Sequence, residues 1–298
     1  MGNEEEAAAP ADVAAGGFSA ATRGVSLAPM KITSLSAAPD RGRSALEFFV
    51  SDGVRLAYLD TGPRDGDPIV LVHGFGSNAR VNWVGTGWVD LLAADGRRVI
   101  ALDNRGHGAS EAPHDPDAYH TGDKMAEDVR RLMDHLGIDR ADVMGFSKGA
   151  WILGHMAVRH PERLRSVVFG GLAMAMVEGL GGQETIAAAL EAETDAEVTS
   201  PKGRAYRAFG KQTGSDLKAL AACMRGSRQP VPREGLARLT LPVLVVVGER
   251  DDVAGSLDDF VALVPSAKGV LLPGKDHMAS VGDKTYKQAV LDFLAERA

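Results

Sequence analysis

A single cysteine, Cys223, stands among 298 residues. An internal disulfide has no second thiol and a thiolate metal site has no ligand set. Such cysteine usage suits a reducing compartment. Long hydrophobic runs are missing too, and no stretch approaches the roughly 18 apolar residues of a membrane span. Basic clusters are absent, and a net charge of −7 disfavours nucleic acid and anionic membranes as partners. The opening Met1-Gly2-Asn3-Glu4-Glu5-Glu6 is acidic where a secretory signal is basic, and no apolar core follows it. Glu6 also occupies the position where an N-myristoylation signal carries Ser or Thr. The expected location is cytoplasmic. Residues 1–44, rich in Ala, Gly, Ser and Pro without a sustained period, read as a disordered or loosely packed tail.

What is present suits a soluble globular chain: 45% hydrophobic and 24% charged residues, enough for one large α/β domain with a modest insertion. Leu46–Val50 and Val54–Leu59 flank an Asp-Gly turn and predict a hairpin. Apolar runs then recur at Ile69–Val72, Arg98–Leu102, Ala141–Phe146 and Leu164–Gly171. Helical spacing appears between them, as in Met125, Val129, Leu132, Met133 and Leu136, closed by Gly137. Such alternation predicts a parallel sheet covered on both faces, with reactive groups gathered at the carboxyl ends of its strands. Those ends carry His73-Gly74-Phe75, Asp103, Ser147 and Gly170-Gly171. From 172 to 238 the alternation lapses into helix-like pieces, around Glu184–Glu193 and Asp216–Arg225, too long for a loop. The expected organisation is a core of 45–171 and 239–298 with an inserted helical cap, 172–238, whose small core holds Cys223 and Met224. The alternation resumes with Leu241–Val247, a helix through Leu257, Phe260, Val261 and Val264, Gly269–Leu272 and a last amphipathic helix.

Gly145-Phe146-Ser147-Lys148-Gly149 fits G-x-S-x-G between a buried strand and a helix that Pro161 stops. A serine there sits in a sharp, strained turn that lifts its hydroxyl clear of the backbone. A hydroxyl is a poor nucleophile without a base, and the base needs a carboxylate to orient it. Of eight histidines, only His277 follows the last strand and precedes the last helix. His73 and His107 lie in turn motifs and are expected to hold loops. His135, His155 and His160 lie on or beside helices, and His114 and His120 in a polar loop. The carboxylate falls to Asp251 or Asp252, Asp251 being favoured at the tip of the exit turn from Gly248. Asp276, next to His277, is expected to be solvated. Two backbone N–H groups, of Lys148 and Phe75, are placed to form an oxyanion hole. The Lys148 side chain itself is expected to be a solvated charge.

His73-Gly74-Phe75-Gly76, Asp103-Asn104-Arg105-Gly106-His107-Gly108-Ala109-Ser110, Gly145-Phe146-Ser147-Lys148-Gly149, Gly248-Glu249-Arg250-Asp251 and Pro273-Gly274-Lys275-Asp276-His277 together resemble the α/β-hydrolase superfamily, from about residue 46 onward. The resemblance implies an eight-stranded, mostly parallel sheet flanked by helices, a cap after the sixth strand, a Ser–Asp–His triad and no cofactor. Asp103 and His107 lie in a loop landmark of that family and take no catalytic role from it. Lys148 stands where relatives often carry Met, Gln or Leu, which would set a cation at the pocket floor. Ser147 in place of Asp at the elbow disfavours haloalkane dehalogenase and epoxide hydrolase chemistry.

The expected function is hydrolysis of a small-molecule carboxylic ester through an acyl-serine formed on Ser147, with His277 and Asp251, in a monomer or homodimer without metal or cofactor. Lactone, amide and carbon–carbon bond hydrolysis and perhydrolysis use the same triad and stay open. Two rivals differ in class. Gly74-Phe75-Gly76-Ser77-Asn78-Ala79 fits G-x-G-x-x-A with Asp103 at the next strand end, as a nicotinamide-dependent oxidoreductase requires. A non-catalytic ligand receptor on a hydrolase scaffold is the other.

Overall fold

The computed structural model describes residues 45–227 and 229–296. The expectation for the 1–44 tail lies outside the described residues. Eight strands form one sheet: β1 (Glu47–Ser51), β2 (Val54–Thr61), β3 (Pro68–Val72), β4 (Arg98–Leu102), β5 (Ala141–Phe146), β6 (Leu164–Gly170), β7 (Val243–Gly248) and β8 (Ala267–Leu272). Their spatial order is β1-β2-β4-β3-β5-β6-β7-β8. The hairpin β1–β2 and the β2–β4 pair are antiparallel, and the remaining pairs are parallel. Asp52 and Gly53 both take positive φ, 50° and 77°, the mirror-image turn whose twist suits a two-residue hairpin.

Burial explains why the central strands read as continuous apolar runs. β5 and β7 are buried at every residue, because helices cover both faces of a parallel sheet. Side-chain alternation divides β3 between two cores. Val70 and Val72 face one, with Met133, Trp151, Ile152 and Phe260. Ile69 and Leu71 face the other, with Trp83, Trp88, Tyr286 and Phe293. β8 closes the far edge and leaves Leu271 half exposed.

Between β6 and β7 lie the helices Ala175–Glu178, Gln183–Glu191, Pro201–Gln212, Leu217–Gly226 and Arg233–Ala237. Ile186, Ala187, Leu190, Leu220 and Ala221 give this segment its own small core. Met224 packs there. Cys223 does not: with Ala222 it faces the opposite way and joins the sheet-side core. Helix Leu217–Gly226 therefore buries both sides, which a reading of the segment as a separate cap with its own cysteine missed.

The loop after β4 is pinned from beneath. Arg105 gives Nε and Nη2 to the two oxygens of Asp128, each at 2.7 Å, and its Nη1 to the Ala118 carbonyl at 2.6 Å. The Ser51 hydroxyl also donates to Asp128 at 2.5 Å. Both charged groups are almost completely buried, so removing one strands the other in a medium that cannot solvate it. Asp128→Ala is expected to cost about 3–5 kcal/mol, read as a lower urea midpoint. A shift below about 1 kcal/mol would show that this pair does not hold the loop.

Candidate active site

The site forms where β3, β5, β6, β7 and β8 end. Ser147 closes β5 with φ 54° and ψ −114°, a region that costs a non-glycine residue on the order of 1–3 kcal/mol. Close approach around it holds the turn. A Cβ on Gly149 would stand 1.9 Å from the Val72 carbonyl oxygen, and one on Gly145 2.4 Å from the Gly149 carbonyl carbon. Ser147 also donates its own N–H to the Gly170 carbonyl at 2.8 Å. Its hydroxyl projects from the first turn of helix Lys148–Arg159.

His277 Nε2 lies 2.9 Å from Ser147 Oγ, and His277 Nδ1 2.8 Å from Asp251 Oδ2. A carboxylate only accepts, so Nδ1 carries the proton and Nε2 is free to take one from the serine. The second oxygen, Asp251 Oδ1, accepts from the Val253 and Ala254 N–H groups at 2.9 and 3.1 Å. The Asp251 side chain is fully buried. Asp252, by contrast, is exposed and reaches the cavity rather than the histidine. Phe146 backs the imidazole, ring centres 5.2 Å apart. Gly171, at φ 62°, leaves the room it needs, since a Cβ there would come within 3.1 Å of His277 Cε1.

The turn after β3 is cross-linked to the turn after β4. His73 Nδ1 donates to the Gly74 carbonyl at 2.8 Å, and its Nε2 accepts from the Asn104 N–H at 3.0 Å. Asn104 Nδ2 donates to the His73 carbonyl at 3.1 Å. Asn82 Oδ1 accepts from the Gly74 N–H at 3.2 Å. These bonds set the Gly74–Phe75 backbone beside Ser147, with a Gly74 Cβ position 3.4 Å from Ser147 Cβ. Lys148 opens the following helix, where its N–H has no intrahelical acceptor. Phe75 lines the same cavity as Ser147, and Lys148 follows the serine directly in the chain.

Ser147 and His277 line a cavity of about 290 Å³. Its walls are largely apolar, with Phe75, Val81, Phe146, Leu180, Phe209 and Val253 among them. Among the described residues no group of three or more His, Cys, Asp or Glu side chains could hold a metal ion. No helix among them is long and apolar enough to cross a membrane.

The alpha/beta hydrolase fold family matches residues 67–179. A hydrolase from Pseudomonas aeruginosa superposes with a TM-score of 0.70 at 28% identity, over 84% of this chain and 98% of that one. The chain belongs to the α/β-hydrolase superfamily. Among curated proteins, 3-oxoadipate enol-lactonase 2 of Acinetobacter baylyi is 28% identical over 71% of this chain and 82% of its own. The putative 2-succinyl-6-hydroxy-2,4-cyclohexadiene-1-carboxylate synthase of Bacillus subtilis is 25% identical over 82% of this chain and 96% of its own.

In this α/β hydrolase the dinucleotide reading of Gly74–Ala79 finds no support in the geometry. Asp103 is buried, and its two oxygens accept from the Ala79 and Ala109 N–H groups at 2.7 and 2.9 Å, so it ties the protein's own turns together. Lys148 also departs from expectation. Its side chain is buried, not solvated, and is absent from the cavity lining. The ammonium lies 3.4 Å from the Ser227 carbonyl and 3.5 Å from Thr121 Oγ1, and burial pushes its pKa down to about 8. Helix Lys148–Arg159 turns that side chain toward the returning segment around Ser227. Asp276 is exposed, as a solvated group is, but also caps a helical turn through the Ala279 N–H. Sequence reasoning missed Asn82, which sits in a stretch without period or motif, and the cavity-facing residues of helix Pro201–Gln212.

Three other histidines are structural. Burial pushes His73 down to about 4, His107 to about 3 and His155 to about 4. His155 Nε2 donates to the Gln229 carbonyl at 3.0 Å, and Lys148, His120 and Arg159 add to the cost of charging it. Above about pH 6.5 these groups are neutral folded or unfolded. As pH falls below that value only the unfolded chain takes up protons, so stability is lost towards pH 4. His155→Gln keeps a donor for Gln229. It is expected to remove about 2 kcal/mol of the stability difference between pH 7.5 and 5.0, at 1.36 kcal/mol per unit. Parallel pH profiles of urea midpoints for variant and wild type would refute this.

Proposed function

We propose that this α/β hydrolase cleaves a small-molecule carboxylic ester through an acyl-serine intermediate. The observation that carries the reading is the relay Ser147 Oγ–His277 Nε2, His277 Nδ1–Asp251 Oδ2, at 2.9 and 2.8 Å, opening on an apolar cavity. Such a cavity suits the organic acyl or alkoxy part of an ester and limits the access of water to Ser147.

His277 takes the Ser147 proton as Oγ attacks the ester carbonyl, and Asp251 stabilises the imidazolium that forms. The carbonyl oxygen becomes an oxyanion facing the Phe75 and Lys148 N–H groups, where donors fixed by the backbone need no reorganisation. His277 returns the proton to the leaving alkoxide. It then activates a water that cleaves the acyl-serine, and Ser147 is restored. The name of the Acinetobacter baylyi relative, an enol-lactonase, supports the reading, since a lactone is a cyclic ester.

The test is a burst assay with short- and medium-chain p-nitrophenyl esters. Ser147→Ala and His277→Ala are each expected to lower kcat by about 10⁴- to 10⁶-fold with the fold intact. A fully active Ser147→Ala variant would refute the scheme. Asp251→Asn is expected to lower kcat by about 10⁴-fold, because the wrong tautomer of His277 is then favoured. Asp252→Asn should do far less, and the reverse order would transfer the role to Asp252.

A further inference from the structure

The cavity wall carries hydrogen-bond donors that the relay does not use. Helix Pro201–Gln212 presents Lys202, Tyr206 and Phe209 to it from one face, at three- and four-residue spacing. The Tyr206 ring lies on that of Phe75, centres 5.7 Å apart. Phe75 in turn meets His107 edge-on at 5.7 Å. The phenol is thus held by a residue that lines the cavity with Ser147. Burial, and after it the charges of Asp252 and Asp251, raise the Tyr206 pKa, which keeps the hydroxyl a donor. Among the described residues neither that hydroxyl nor the Lys202 ammonium has a hydrogen-bond or ion-pair partner.

A second donor comes from Asn82, which lines the same cavity and is 6% exposed. Its Oδ1 is taken by the Gly74 N–H, which fixes the amide's orientation. Nδ2 is therefore left buried without a partner among the described residues. A buried donor without an acceptor is costly, and a saturated alkyl chain in the cavity would leave both Asn82 Nδ2 and the phenol in that state. The one carboxylate in the lining outside the relay, Asp252, is on its exposed side.

We propose that the substrate is an ester bearing a second acceptor oxygen, keto or carboxylate, and that Tyr206 is the residue that selects for it. The proposal rests on the ester-hydrolase reading above. It commits the donors of Tyr206, Asn82 and Lys202 to one substrate group, while the ester carbonyl itself is bound by backbone.

Steady-state kinetics on matched esters test it. The acyl pair is p-nitrophenyl pentanoate and p-nitrophenyl 4-oxopentanoate, with the p-nitrophenyl half-ester of glutaric acid as the anionic member. The alcohol pair is butyl butyrate and the butyrate of 4-hydroxy-2-butanone. In wild type, at least one oxygenated ester is expected to exceed its plain counterpart about tenfold in kcat/KM. Tyr206→Phe is expected to bring that ratio to about one, mainly through KM, because a phenylalanine keeps the ring and loses the donor. Lys202→Met separates the two oxygen chemistries: loss of preference for the half-ester alone marks a carboxylate, and retention with loss in Tyr206→Phe marks a keto group. Plain esters turned over with ratios near one in every pair, or a preference that survives Tyr206→Phe, would overturn the inference and leave the esterase reading standing. Turnover of no ester by wild type would remove the esterase reading, and the inference with it.

Discussion

The approach of one helix to one strand end sets the rest of the site. Helix Lys148–Arg159 starts so near β3 that a single methyl group on Gly149 would overlap the Val72 carbonyl. That contact leaves the chain no room to relax between β5 and the helix, and Ser147 is held at positive φ as a result. A strained serine persists only where its surroundings over-determine it. Here the surroundings are backbone, which no rotamer change can soften. The same geometry turns Ser147 into the cavity and brings Gly74 against it.

In the proposed role a rigid Ser147 is of use only if its partners are equally fixed, and each is fixed differently. Asp251 is held by two N–H groups of its own exit loop and keeps one oxygen for His277. His277 has a ring behind it and a glycine beside it. The turn after β3 is held by buried polar side chains, His73 with Asn104 and Asn82 with the Gly74 N–H. Burial serves that loop twice. It shortens the list of competing partners, and it keeps His73 and His107 uncharged, so no cation near the turn competes with the backbone dipoles there.

The sequence makes legible whatever follows from chain order and chemical type. Apolar runs ending in glycine, serine or aspartate place Ser147, Asp251 and His277 at strand ends without any distance being known. The hairpin at Asp52-Gly53 is legible for the same reason, since few residues tolerate that turn. Lys148 shows where such reading stops. A lysine after a nucleophile looks solvated, and only the direction in which its helix turns it reveals a buried cation over Trp151. Asn82 is illegible for a related reason: its work is done on a loop eight residues away, and nothing local marks it. Spacing alone does not place Cys223 in the sheet-side core, because its helix is apolar on two sides.

Substrate preference belongs to the part of the chain that obeys no motif. The hydrogen-bonded Ser147, His277 and Asp251 come from strand ends and their exit loops, where backbone geometry restricts residue type. The facing wall comes from helix Pro201–Gln212, which lies outside the sheet and presents Lys202, Tyr206 and Phe209 to the cavity. Changes there alter what fits over Ser147 and leave the relay untouched, which is how one scaffold can serve several reactions. A tyrosine on that wall, with its ring anchored on Phe75, is therefore more informative about the substrate than the triad is. Under the proposed function the triad accounts for how a carbonyl is attacked, and the unpaired donors of the wall bear on what else the molecule carries.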